Sequence, residues 1–141
     1  MSDIFDTAAV QASGLSKDHA LAAALSGRED ILTMTQQAHD AALTPDAPGG
    51  LSHAERAALA CRMARLNSEE GLAVQFLAMI GSDTVAGQIA DPGFTSVADT
   101  RLAAILRHTD LVTQDTKGVV AGDIAALTSA GVSEDDIVRL S

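Results

Sequence analysis

About a fifth of this chain is alanine, and its bulky aromatic side chains are few. It contains three phenylalanines and no tryptophan or tyrosine. Alanine is the strongest helix former, whereas β-branched and aromatic residues favour strands. The composition therefore predicts an all-α protein in which small side chains allow the helices to approach one another closely.

The charge balance excludes several classes of partner. The 141 residues include 9 basic and 19 acidic side chains, which gives a formal net charge of −10. This excess of negative charge disfavours binding to nucleic acid phosphates or to anionic membranes, and it favours solubility. No apolar run approaches the roughly 18 to 20 residues that a membrane span needs. We therefore predict neither a nucleic acid partner nor a membrane partner.

The start of the chain and its cysteine usage indicate the compartment. The first six residues, Met-Ser-Asp-Ile-Phe-Asp, are acidic where an export signal would be basic. The chain has a single cysteine, which cannot form an internal disulfide and which suits a reducing environment. The expected location is the cytoplasm.

A linker at residues 44–50, Thr-Pro-Asp-Ala-Pro-Gly-Gly, divides the chain, because its two prolines and two glycines cannot continue a helix. The predicted organisation is an N-terminal helical segment with this linker, residues 1–50, followed by a core, residues 51–141. In the first segment, Ser16 is expected to cap a helix that runs through Leu25 and ends at Gly27. A second helix is expected from Glu29 to Leu43.

The strongest local signal in the core is a capping box formed by Ser52 and Glu55, Ser-x-x-Glu, at the start of a helix. Ser68 is expected to cap the next helix. The buried stripe predicted for the first helix consists of Leu59, Met63 and Leu66. The stripe predicted for the second helix consists of Leu72, Phe76, Met79 and Ile80.

Four further helices are predicted after these two. They are a short segment at 84–89, a long amphipathic helix from about Ala98 to Thr113, a helix that carries Ile124 and Leu127 and ends at Gly131, and a last helix that begins at Ser133. The chain stops about two turns after Ser133, and a helix of that length is marginal on its own.

Two blocks of sequence resemble a known family. The first runs from residue 51 to about residue 80 and begins with the stretch Leu-Ser-His-Ala-Glu-Arg-Ala-Ala-Leu-Ala-Cys-Arg-Met-Ala-Arg-Leu-Asn at residues 51–67. It resembles the signature helix of the carboxymuconolactone decarboxylase and alkylhydroperoxidase (AhpD-like) family. The second block, residues 101–113 with 123–138, is similar to the Leu-x-x-Ala-Gly-[Leu/Val]-Ser-x-x-Asp/Glu-Ile element of that family. Both blocks are similar to a bacterial subfamily known as CMD domain proteins, in which the redox cysteines are likewise not evident.

The resemblance implies an AhpD-like all-α helical bundle in which a helical hairpin packs into dimers, trimers or hexamers. It also implies that the chain normally continues past Ile137 into another apolar helix, so a bundle truncated at its C-terminus is expected here. In redox members the signature helix leads into a Cys-x-x-Cys-x-x-x-His segment that reduces peroxides. Here residues 68–76, Ser-Glu-Glu-Gly-Leu-Ala-Val-Gln-Phe, contain neither cysteine nor histidine.

Three residues remain as weak catalytic candidates: Glu55, Cys61 and His108. Arg62 and Arg65 could lower the pKa of Cys61, but a lone cysteine is more often buried as a small apolar residue. Glu55 matches the proton-relay glutamate implied by the resemblance, yet the capping box already explains it. His108 and Asp110 lie on different faces of one helix, which disfavours joint coordination.

None of the four histidines forms a helical pair with metal-ligand spacing, and no glycine-rich phosphate loop is present. The sequence therefore predicts no metal site and no cofactor.

Two classes of function stay open. The first is a non-redox helical subunit that forms a homo-oligomer or assembles with a redox-active AhpD-like relative. The alternative is an enzyme, either a thiol-independent decarboxylase-like activity on a small lactone or an antioxidant activity related to alkylhydroperoxidase. The missing Cys-x-x-Cys and histidine favour the first class, so the chain is not expected to be a peroxidase.

Overall fold

The computed structural model describes residues 3–95 and 98–141, and within them it contains helices and no strands. This confirms the predicted all-α class. Two short 3-10 turns, Ile4–Asp6 and Thr116–Gly118, accompany the α-helices. The α-helices of the described chain are α1 (Ala8–Ser13), α2 (Ala22–Ser26), α3 (Glu29–Leu43), α4 (His53–Leu66), α5 (Glu70–Ile80), α6 (Thr84–Ile89), α7 (Thr100–Gln114), α8 (Ala121–Ser129) and α9 (Glu134–Leu140).

Helix α4 lies at the centre of the fold and packs against α3, α5, α6 and α7. It buries a face of small side chains, and its neighbours supply the larger apolar groups of the core. The small residues allow these neighbours to approach closely. The buried small residues of α4 are Ala57, Ala58, Ala60, Cys61 and Ala64, and the larger core residues include Ile89, Ile105, Leu106 and Leu127.

The stripe predicted for α4 is therefore partly wrong. Leu59 is buried, but Leu66 is half-buried and Met63 is 36% exposed. Arg62 is fully buried beside Cys61, so the inward face of α4 is rotated away from Met63. On α5 the prediction holds for Leu72, Phe76 and Ile80, whereas Met79 is exposed.

The helix ends show which capping signals are used. Ser52 Oγ accepts a hydrogen bond from the Glu55 amide at 3.1 Å, and the Glu55 carboxylate accepts one from the Ser52 amide at 2.8 Å. This confirms the predicted capping box. Ser68 does not cap α5, contrary to the prediction. Its φ of 59° places it in the left-handed region, and its amide donates to the Arg65 carbonyl, so it closes α4 instead.

In the N-terminal segment the prediction for α3 is confirmed at both ends. The helix predicted from Ser16 to Leu25 is wrong at its start, because only Ala22–Ser26 is helical and residues 17–21 form turns and a bend. Its predicted end at Gly27 is confirmed. The segment contacts the core where α1 crosses α5. A Cβ on Gly71 would lie 2.4 Å from the Ala12 carbonyl oxygen, so only glycine permits this close approach.

The remaining helices follow the predicted order. Helix α6 occupies the predicted range, and α7 begins at Thr100 because the Asp99 carboxylate accepts a hydrogen bond from the Leu102 amide at 2.9 Å. Ser133 caps α9 through the Asp136 amide, as predicted. In the described part of the chain, no helix combines the length and the apolar character that crossing a bilayer would require.

Candidate functional site

Cys61 is fully buried in the middle of α4. Its thiol donates a hydrogen bond to the Ala73 carbonyl on α5, at a sulfur–oxygen distance of 3.4 Å. Burial raises the pKa of this thiol, and this effect outweighs the opposing attraction of Arg65. Arg65 does favour the thiolate, but burial has the larger effect, and Cys61 packs as a core side chain.

Glu55 and His108 are not brought together with Cys61 in a cavity. The Glu55 carboxylate is engaged in the α4 cap. His108 is buried in α7, and its Nδ1 atom has no hydrogen-bond partner. None of these three candidates lines any of four cavities found among the described residues, which are bounded by other side chains. The structure thus separates the sequence candidates and does not assemble them into a site.

Arg62 forms the most extensive polar contacts of the interior, and the sequence analysis did not identify this role. Its side chain is 0% exposed and makes a two-pronged ion pair with Asp110 on α7. The Nε–Oδ1 distance is 2.5 Å and the Nη2–Oδ2 distance is 2.7 Å. The remaining guanidinium hydrogens point to the end of α6 and the loop after it, where the backbone carbonyls of Ile89, Asp91, Pro92 and Phe94 accept them.

This arrangement joins α4, α7 and the loop after α6. A cavity of about 370 Å³ lies beside it, lined by Arg62, Thr95, Ala103, Leu106, Arg107 and Asp110. All N–H groups of the Arg62 guanidinium are already directed at acceptors. Arg107 pairs with Asp123 at 3.0 Å. Both cations at this cavity are therefore engaged within the fold, and the cluster is best explained as structural.

A second cavity, of about 410 Å³, lies between α1, α3 and the start of α5. One wall is His39, whose ring stacks on Phe76 with 5.9 Å between the ring centroids and 21° between their planes. The Nε2 atom of His39 is buried without a hydrogen-bond partner. The cavity is lined by Thr7, Ala8, Ala9, Ala12, Ser13, Leu32, Thr35, Gln36, His39, Glu69, Leu72 and Phe76.

The contacts that His39 makes with Gln36 and Asp40 indicate which of its ring nitrogens donates a hydrogen bond. The Ala8 amide donates to Gln36 Oε1 at 2.7 Å, which orients the Gln36 amide so that its Nε2 donates to Asp40 Oδ1, also at 2.7 Å. His39 Nδ1 lies 3.0 Å from the same Asp40 oxygen. Gln36 Nε2 also lies 3.4 Å from Nδ1. Because the Asp40 contact is the shorter of the two and an ionised carboxylate only accepts hydrogen bonds, we assign Nδ1 as the donor to Asp40. In the neutral ring, Nε2 is then an acceptor.

Among the described residues, no three or more histidine, cysteine, aspartate or glutamate side chains are grouped so that they could hold a metal ion. Comparisons of the chain with family models, with curated proteins and with solved structures give no match.

Proposed function

We propose that this chain is a non-redox AhpD-like helical subunit that assembles with copies of itself or with a redox-active relative. The observation that carries the proposal is the state of Cys61, which is buried and engaged with the Ala73 carbonyl. Peroxide reduction of the dithiol type needs an accessible thiolate and a second cysteine to complete the disulfide. Neither requirement is met by this sequence and this geometry.

The AhpD-like part of the proposal rests on the resemblance of two blocks of sequence. The first block covers the capped central helix α4 and helix α5, and the second lies in α7, α8 and α9. The capping box at Ser52 and Glu55 also explains the glutamate near the start of the signature helix without a proton relay.

The enzyme alternative needs a histidine and a carboxylate at one cavity. Glu55 and His108 do not provide this pair, because the first is part of a cap and the second is buried and lines none of the four cavities described above. His39 and Glu69, however, both line the cavity between α1, α3 and α5. An acid–base reaction on a small lactone is therefore a second candidate, and it would depend on His39.

An uncovered apolar face supports the assembly part of the proposal. On α5, Val74 is 63% exposed and Leu77 is 44% exposed. Val74 and Leu77 are three residues apart and lie on neighbouring positions of one helix face. Clustered exposed apolar side chains of this kind are typical of interfaces between subunits. We propose this face of α5 as the contact between copies.

Light scattering at micromolar protein concentration tests the assembly. We expect the wild type to be a dimer or a trimer, and we expect the double variant Val74→Glu, Leu77→Glu to be a monomer, because two charges cannot be buried in an apolar contact without partners. Leu21→Glu is the matched control, since Leu21 is 54% exposed at the start of α2 and its replacement should leave the mass unchanged. A monomeric wild type would refute the proposed assembly.

A further inference from the structure

We propose that the cavity beside His39 is a binding site for a small, neutral ring compound that carries a hydroxyl group, with a simple phenol as the model ligand. The inference goes beyond the assembly proposed above and does not depend on it. It rests on four properties of the described cavity: an unmet hydrogen-bond acceptor, saturated neighbouring polar groups, an apolar stacking surface and the absence of a cation.

The acceptor is His39 Nε2. It is buried without a partner, and a buried polar atom in that state is costly to the fold unless something supplies the missing hydrogen bond. With Nδ1 assigned as the donor to the Asp40 carboxylate at 3.0 Å, the lone pair of Nε2 is left for a donor. A hydroxyl group of a ligand is such a donor.

The other polar groups of the cavity wall, Glu69 apart, are already satisfied. The hydroxyls of Thr7, Ser13 and Thr35 each donate to a backbone carbonyl three or four residues earlier, at 2.6 to 2.8 Å. Gln36 accepts from the Ala8 amide and donates to Asp40. Glu69 is exposed to water, so His39 Nε2 is the buried group in this wall whose hydrogen-bonding capacity a neutral ligand could complete.

The rest of the lining favours a ring without charge. Leu32, Leu72, Phe76 and several alanines form most of the surface, and the stacked rings of His39 and Phe76 show that flat groups pack here. No lysine or arginine lines the cavity, and Glu69 stands in its wall. An anionic ligand would thus meet negative charge without compensation. A cavity of about 410 Å³ has room for one substituted ring.

Calorimetric titration of the full chain with p-cresol at neutral pH tests the site. We expect saturable binding with a Kd on the order of 1 mM, the range available to so small a ligand. Toluene, which lacks the hydroxyl, and benzoate, which is anionic, should each bind about tenfold more weakly. Benzylamine serves as the cationic probe, and we expect only weak binding because Glu69 is exposed.

His39→Phe keeps a ring against Phe76 and removes the nitrogen. We expect it to weaken p-cresol binding about tenfold and to leave toluene binding unchanged. His53→Phe is the control, since His53 is exposed at the start of α4 and should bind p-cresol as the wild type does. Equal binding of p-cresol by wild type and His39→Phe would overturn the proposal. Tighter binding of benzoate or benzylamine, or no saturable binding of p-cresol, would also overturn it.

Two measurements keep the proposal testable if His39→Phe does not fold. In the wild type, the nitrogen NMR signal of His39 Nε2 should move on saturation with p-cresol, because the atom gains a hydrogen bond. Ala12→Leu should abolish binding by filling the cavity from α1 while leaving His39 in place. An unmoved Nε2 signal at saturation, or undiminished binding by Ala12→Leu, would show that the ligand lies elsewhere.

Discussion

Replacing Arg62 with methionine is expected to lower the free energy of unfolding by about 3–5 kcal/mol, as observed when one partner of a buried ion pair is removed. The variant would leave the Asp110 carboxylate without its guanidinium partner. It would also leave the carbonyls at the end of α6 and in the loop after it without their donors. Urea denaturation of both proteins, followed by circular dichroism, measures the difference directly.

Two further variants separate charge from geometry. Arg107→Met is the matched control, because Arg107 is 61% exposed and pairs with Asp123 alone, so the expected loss is below about 1 kcal/mol. Arg62→Lys keeps the positive charge but cannot provide the planar fork of donors, so it should be destabilised almost as much as Arg62→Met. An Arg62→Met protein within about 1 kcal/mol of wild type would contradict the structural role given to this residue.

Asp136→Asn is expected to cost about 2 kcal/mol of stability at neutral pH, because charge-assisted hydrogen bonds are lost. Asp136 is 5% exposed, and its Oδ1 atom accepts from the Gly50 amide at 3.0 Å and from Arg139 Nη1 at 2.8 Å. Arg101 approaches the other oxygen at 3.6 Å. A Cβ on Gly50 would lie 2.0 Å from that carboxylate, so glycine is needed for this contact between α9 and the linker.

The contribution of Asp136 should depend on pH in a defined direction. Burial alone would raise the pKa of its carboxyl group, but the hydrogen bonds from Arg139, Gly50 and Ser133 outweigh burial and lower the pKa. A group with a lowered folded-state pKa stabilises the protein fully above its unfolded value of about 3.9, and this stabilisation is lost as the pH falls through the folded value.

We therefore expect the difference between wild type and Asp136→Asn to be constant near neutrality and to shrink below about pH 4. Denaturation curves at several pH values measure it. Asp135→Asn is the control, since Asp135 is the exposed neighbour in the same first turn of α9 and should change stability by less than about 1 kcal/mol. A difference that persists unchanged at pH 3, or an equal effect of Asp135→Asn, would show that the Asp136 ion pairs do not act as described.

The sequence predicted those features that depend on neighbours along the chain. The capping box at Ser52 and Glu55 needs only a three-residue spacing, and the ends of α3 follow from Glu29 and Pro45. The all-α class follows from the alanine content. The prediction for Ser68 was wrong because one residue can serve either of two helix ends. Ser68 fits a helix start by residue type, yet its left-handed backbone ends the preceding helix.

The features that were missed depend on contacts between distant segments. The local sequence shows Arg62 only as a neighbour of Cys61, because its partner Asp110 is 48 residues away. A signal was nevertheless present, because Arg62 lies four residues after Ala58 on a face made of small residues, where an arginine requires buried acceptors. The sequence around His39 shows only that its spacing from the other histidines does not match a pair of metal ligands. Its cavity arises where α1 and α3 meet α5, and the local sequence does not specify that contact.

Dithiol-dependent consumption of an alkyl hydroperoxide, measured for the wild type and for Cys61→Ala side by side, tests most directly whether this fold carries thiol chemistry. Cys61 is buried, its thiol is hydrogen-bonded to Ala73, and the chain has no second cysteine. We therefore expect both proteins to consume peroxide no faster than the dithiol alone. Robust consumption by the wild type that disappears in Cys61→Ala would contradict the non-redox function proposed for this chain.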